Sequence, residues 1–222
     1  MNNSLTGRAR SLGAGLRALL VLTLVTGVLY PFAMTGVAQL LFPERANGSE
    51  TRADGRVVGS SLIGQSYALP QKKGQETPEP DLRWFQGRPA AGLGTNSENT
   101  RYSLLLSGAT NLAADSKVLV QRVRAAKAAV VRDNSVPGHA VSPADVPADA
   151  VTSSGSGLDP DISPRYARLQ TNRVAARNHL PVAEVARLVR AHIEGPTLGF
   201  LGEPRVNVLE LNIALKDLAA RR

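Results

Sequence analysis

The sequence contains no cysteine. This excludes a disulfide framework, a thiolate nucleophile and any Cys-ligated zinc or iron–sulfur centre, and it leaves the cellular compartment open. Aromatic residues make up only 4%, with a single Trp. Rings supply the largest burial per side chain, so a core built here from Val, Leu and Ala is modest. Histidine is also scarce, and His139, His179 and His192 lie too far apart in sequence to form a recognisable metal motif. The first 42 residues hold no acidic side chain at all. What is plentiful is glycine and proline, 20 and 14 residues, which imply many turns. A chain of 222 residues accommodates one ordinary domain and an accessory segment, but not two independent cores.

The net charge is +8, of which Arg8, Arg10 and Arg17 contribute three near the N-terminus. The remaining 23 basic and 18 acidic residues are mixed along the chain. No nucleic-acid motif accompanies them, so a solvated mixed surface is expected and not a nucleic-acid partner.

From Ala18 to Phe42 no side chain is charged. As a helix these residues extend about 37 Å, against roughly 30 Å for the hydrocarbon core of a bilayer. No polar stripe interrupts them, which argues against a surface helix of a soluble domain. Gly36-Val37-Ala38 resembles a signal-peptidase site, but the apolar run continues past it through Leu40, Leu41 and Phe42. A signal core is shorter than this run, so an uncleaved anchor contacting membrane lipid is expected. Three arginines precede the span, whereas near-balanced charges follow it. The positive-inside rule then places the N-terminus in the cytoplasm and residues 43–222 outside. Pro31 is expected to kink the helix, and Thr23 and Gly27 form a small face suited to close helix approach. Thr23, Gly27 and Pro31 are therefore candidate helix-packing residues.

The expected organisation is a cytoplasmic N-terminus (1–17), a transmembrane helix (18–42), a linker (43–55) and one small extracytoplasmic α+β domain (56–222). Within that domain, 56–67 reads as a strand or two broken by a turn, and 70–101 as polar loop. A helix starts near Asp115, a short one is expected at Ser142-Pro143, and Ser163-Pro164 and Pro181 open two more. A Gly/Ser loop covers 152–157. The alternation from Val206 to Leu211 predicts a strand before a final helix.

Evidence of chemistry is thin. Gly59 to Ser66 fits a phosphate-binding loop except at the decisive lysine, which is Gln65, and a glycine-rich strand end is the better reading. Neither Ser154 nor Ser156 heads a nucleophile elbow, and Asp159-Pro160 is first of all a turn signal. Residues alone thus lead to an anchored external α+β domain. An anchored hydrolase or a stand-alone binding module remains open at this point.

A series of short blocks says more. Gly27-Val28-Leu29-Tyr30-Pro31, Phe42-Pro43, Ala46-Asn47-Gly48-Ser49, Gly59-Ser60 and Leu62-Ile63-Gly64-Gln65 come first. Trp84-Phe85-Gln86-Gly87-Arg88-Pro89 and Ser107-Gly108-Ala109-Thr110-Asn111-Leu112 follow. Val151 to Asp159, Arg173-Val174-Ala175 and Val206 to Asn212 complete the set. In this order, over nearly the whole chain, they resemble the C subunit of Kdp-type potassium-transporting P-type ATPases. Trp84, Ala90 and Ala109 depart from residues common in that family, without removing a charge or a nucleophile.

The resemblance implies an accessory subunit that is not itself an enzyme. Its partners would be a channel-like potassium-binding subunit and a P-type ATPase subunit phosphorylated on aspartate. ATP and potassium then belong to the complex, with no cofactor bound directly by this chain. The family is also described as a catalytic chaperone that raises the nucleotide affinity of the ATPase subunit. Gln65, Arg88, Asn111, Ser154, Ser156 and Asp159 are candidate subunit-interface residues, each with an alternative role as turn former, cap or loop polar group.

Overall fold

The computed structural model describes residues 3–70, 78–89, 93–95, 103–105 and 107–221. The chain divides into two compact units, Met1–Glu50 and Thr51–Arg222.

The first unit is dominated by one long helical rod: α1 (Asn3–Leu24), a wide turn at Val25–Leu29, and α2 (Tyr30–Leu41). Residues 7–41 form an apolar helix long enough to cross a bilayer, with none of its most apolar stretch buried against protein. In the wide turn the Tyr30 N–H donates to Val25 O, five residues back instead of four. Pro31, which has no N–H, follows directly. The expected disruption at proline is therefore absorbed by one turn of π-helix, a feature frequent at functional positions in helices. Gly36-Val37-Ala38 lies inside α2. After it, α3 (Pro43–Ala46) and β1 (Glu50–Ala53) occupy the stretch read as a linker. β1 pairs with β2 (Arg56–Ser60) through Asp54 and Gly55 at φ 51° and 73°. Both residues of a type I′ hairpin turn need positive φ, which Asp-Gly supplies at low cost. That dipeptide was the sequence signal for β1.

The second unit is built on four helices: α4 (Lys117–Asn134), α5 (Pro164–Arg177), α6 (Val182–Ala191) and α7 (Val208–Ala220). α5 packs against α4 and α6, and α6 against α7. Strands β3 (Leu93–Thr95) and β4 (Ser103–Leu105) pair antiparallel, so part of the expected 70–101 loop is strand; Ala90 lies outside the described residues. β5 (Asp161–Ile162) and β6 (Val206–Asn207) form a second antiparallel pair, Asp161 opposite Asn207 and Ile162 opposite Val206. The unit is α+β, as read from sequence.

Local chemistry accounts for the helix starts. Ser116 Oγ accepts from Leu119 N and Ser163 Oγ from Tyr166 N, and Asp149 holds Ser163 by both its N–H and its hydroxyl. Two expectations fail. Ser142-Pro143 opens only a turn, because Pro147 cannot donate to a helix and turns its predecessor from αR. The expected strand 206–211 stops at Asn207, whose side chain accepts from Glu210 N and caps α7. Val208, Leu211 and Leu215, all buried, then follow at helical spacing. A single core gathers Phe85, Ile162, Val174, Val185, Val189, Val206, Leu211 and Leu215.

Candidate functional site

The loop 81–89 carries many polar contacts, although it holds no helix or strand. Phe85 is fully buried, and its backbone is closed off by Asn212 of α7: Phe85 N–H donates to Oδ1 at 2.9 Å and Asn212 Nδ2 donates to Phe85 O at 3.0 Å. Gln170 of α5 does the same for Gln86, accepting from its N–H at 2.7 Å and donating to its carbonyl at 2.9 Å. Arg173, 1% exposed, donates to Leu82 O, Trp84 O, Asn134 Oδ1 and Gln170 Oε1. Burial pushes its pKa down to about 10, with Tyr166 and Asp133 opposing. It stays protonated at neutral pH, a buried cation solvated by carbonyl dipoles. Buried polar groups are tolerated when each finds a partner, and these do.

Asp81 anchors the loop's start. The Arg83 guanidinium beside it holds its carboxyl below the usual range, while burial opposes. A depressed folded-state pKa gives stability that is present above the unfolded value, 3.8, and lost as pH falls through the folded value. Asp81→Asn should therefore flatten the acid limb of a stability-against-pH curve below about pH 4, measured by denaturant unfolding of the full chain in detergent.

At the loop's other end Arg88 reaches the glycine-serine loop. Its Nη1 donates to Asp159 Oδ2 at 3.0 Å, Nη2 to Ser153 O at 3.2 Å and Nε to Thr152 O at 3.4 Å. Asp159 Oδ1 accepts from Asp161 N at 3.0 Å. Ser154 Oγ accepts from Asp159 N and lies 3.2 Å from Ser156 Oγ, which accepts from Leu158 N. Gly64 N–H donates to Leu158 O at 2.8 Å, and a Cβ on Gly64 would stand 2.6 Å from Asp159 O. The close approach thus requires glycine. Gly59 plays a similar part: Gln65 Nε2 donates to Val58 O and fills the space a Gly59 Cβ would need. No helix follows Gly64, so the strand–loop–helix context of a phosphate loop is missing and the glycine-rich strand end is what forms.

Four of the six candidate interface residues, Gln65, Arg88, Ser154 and Asp159, line one cavity of ≈ 20 Å³, enough for a single water. Ser156 is one hydrogen bond away. Asn111 is not brought to it: it is exposed at φ 52°, and its neighbours Thr110 and Leu112 line a separate cleft with Pro89 and Thr152. Asn tolerates a positive φ better than most residues. Near the cavity, burial pushes the Asp161 carboxyl up, Arg205 opposing and Asp159 and Glu194 reinforcing.

The hydroxyls of Ser154 and Ser156 bond to each other and to backbone N–H groups, not to a histidine. His139 and His179 are exposed, and His192 Nδ1 lies 2.8 Å from Leu188 O of its own helix. Among the described residues no three His, Cys, Asp or Glu side chains are grouped to hold a metal. In the helical rod, a Cβ on Gly27 would touch only Thr23 Cγ2, at 3.9 Å, so this face is open to close approach. Sequence reasoning gave no role to Gln170, Arg173 or Asn212. Arg173 and Asn212 stood within the motif blocks, but only the packing reveals that both serve the loop 81–89.

Residues 12–217 match the family model described as KdpC, the c chain of the K+-transporting ATPase. The chain belongs to the KdpC family. Among KdpC relatives, a potassium-transporting ATPase KdpC subunit of Streptomyces avermitilis is 72% identical over 220 residues, covering 99% of each chain. One from Streptomyces coelicolor is 73% identical, over 99% of this chain and 98% of its own. A more distant KdpC subunit, from Gemmatimonas aurantiaca, is 46% identical over 92% of this chain and 94% of its own. KdpC membership makes this chain a subunit of a potassium-transporting ATPase, and with the apolar N-terminal helix it indicates a membrane location. The matched KdpC region contains every block from Gly27 to Asn212, including the loop 81–89 and its three polar fasteners.

Proposed function

We propose that the chain is a non-catalytic accessory subunit that helps assemble and couple a channel-like potassium-selecting subunit and a P-type ATPase subunit. The observation that carries this reading is the convergence of motif blocks far apart in sequence on one polar surface whose charges are already neutralised internally. Arg88 and Asp159 satisfy each other, and neither serine is activated by a base. Such a surface suits recognition by hydrogen bonding better than proton abstraction. Gln65, Arg88, Ser154, Ser156 and Asp159 would meet a partner there, with Asn111 at a second point of contact. The open face of Thr23 and Gly27, the latter within the π turn before Pro31, would receive a neighbouring membrane helix.

The arginines before the span favour a cytoplasmic N-terminus and an external second unit. An external domain does not reach cytoplasmic ATP. Any rise in nucleotide affinity of the ATPase subunit is then indirect, a coupling free energy passed between subunits. ATP and potassium act at the level of the complex.

The test is a mild-detergent pull-down of the tagged full-length chain from its native membrane. Recovery of a P-type ATPase and a channel-like protein, lost when residues 1–42 are exchanged for an unrelated anchor, is the expected result. Recovery of the chain alone, under conditions that preserve other membrane complexes, would overturn the proposal in favour of a stand-alone module.

A further inference from the structure

Between α6 and β6 the chain makes a stiff hairpin with an apolar tip. At its base Glu194 and Arg205 exchange backbone hydrogen bonds of 2.9 and 3.0 Å, and their side chains form a 2.7 Å ion pair. Nearer the tip Thr197 and Leu201 pair in the same way, at 2.8 and 2.9 Å. Leu198, Phe200 and Leu201 project there, 79, 74 and 51% exposed. Leu198 sits at φ 55° ahead of Gly199 at 82°. For a leucine the left-handed region costs roughly 1–2 kcal/mol. The hairpin thus holds its apolar side chains in water against both backbone preference and the hydrophobic effect. Residues 195–202 carry no charge. Strain at an exposed apolar tip points to an occupant that covers it.

Three side chains fall far short of the roughly 1,000 Å² that a stable protein interface needs. Insertion at the headgroup–acyl boundary requires neither shape complementarity nor a polar rim. The chain supplies the bilayer itself. Only residues 42–50 connect the last residue of α2 to the second unit, and α3 takes up four of them. Even fully extended, this connection cannot exceed about 30 Å. Tethering at that range gives the tip a high effective concentration at the membrane surface. We propose that the Leu198–Leu201 tip inserts into the headgroup region of the membrane spanned by the N-terminal helix, a second and reversible lipid contact. This rests on the membrane-anchored reading above.

Because the chain has no cysteine, one introduced cysteine carries a nitroxide at a unique place. Full-length Leu198→Cys and, separately, Val21→Cys in the span are labelled and reconstituted in phosphatidylethanolamine–phosphatidylglycerol vesicles. The expected result is an oxygen-over-nickel-chelate accessibility at 198 several-fold above that of the same label after Phe200→Asp and Leu201→Asp are added. The Val21 label stays in hydrocarbon throughout. A water-exposed label at 198 with Val21 in hydrocarbon would overturn tip insertion and leave the anchor standing. If both labels are in water, the anchor itself fails and the insertion with it. A label at 198 that faces water in vesicles of the chain alone, and is shielded from both reagents only when other subunits are added, would overturn lipid in favour of a protein pocket.

Discussion

Arg173→Met is expected to destabilise the second unit by about 3–5 kcal/mol, a fall in Tm of roughly 10 °C. Two effects compete. Removing the guanidinium relieves the desolvation that lowers its pKa to about 10. It also orphans Leu82 O and Asn134 Oδ1, and it leaves Trp84 O and Gln170 Oε1 with Gln86 as their remaining donor. An unsatisfied buried acceptor costs about 1–3 kcal/mol, and two of them, with two more weakened, outweigh the relief. Arg173→Lys should rescue little. A single ammonium on a flexible stem cannot span acceptors on α4, α5 and the loop 81–89 as a planar fork does. Urea unfolding of the full chain in detergent, followed by Trp84 fluorescence, measures both variants. A loss below about 1 kcal/mol for Arg173→Met would mean that water or rearranged amides replace the arginine.

Gly64→Ala is the second large effect, about 2–3 kcal/mol, and it strikes the candidate interface directly. The added Cβ would lie 2.6 Å from Asp159 O and 3.2 Å from Asp159 C. Both are backbone atoms, so no side-chain rotation relieves the clash. The loop 152–159 must move, and the Arg88–Asp159 pair and the Gly64–Leu158 hydrogen bond weaken with it. Gly87 lines the same cavity, yet a Cβ there meets nothing within 4 Å. Gly87→Ala should accordingly stay within about 0.5 kcal/mol of the parent. The same unfolding measurement compares the two, and equal losses would show that the close approach at Gly64 is not what holds the loop.

Much of the architecture was legible because it depends on local chemistry. The uncharged run that begins at Ala18 is helical through Leu41, with Phe42 as its C-cap, and the caps Ser116 and Ser163 act within three residues of themselves. The misreadings also have local causes. Val206 to Leu211 alternates like a strand over six residues, but Val208, Leu211 and Leu215 fit the helical period, and the cap at Asn207 decides between them. At Ser142-Pro143 the helix signal was real, yet Pro147 left it no room.

The candidate site was legible only as a set of names. Gln65, Arg88 and the pair Ser154 and Asp159 stood in three separate motif blocks, and nothing in the spacing of those blocks placed them around one cavity. Asn111, chosen on the same grounds, lies elsewhere, exposed in irregular backbone at a positive φ.

By itself the sequence determined the apolar span, the α+β content, the absence of thiol chemistry and, through its ordered blocks, membership in the KdpC family. These follow from composition, short-range periodicity and motif order, which need no knowledge of what packs on what. Only the tertiary structure decided that Phe85 is a core residue within an irregular loop, and that Asn212, 127 positions away, satisfies its backbone. The same holds for Arg173, a residue of a type seldom fully buried, which folding buries here. The reason is that a loop's backbone groups must find partners somewhere, and where no neighbouring strand supplies them the partners come from distant helices. That pairing is a property of the closed fold, written in no local segment.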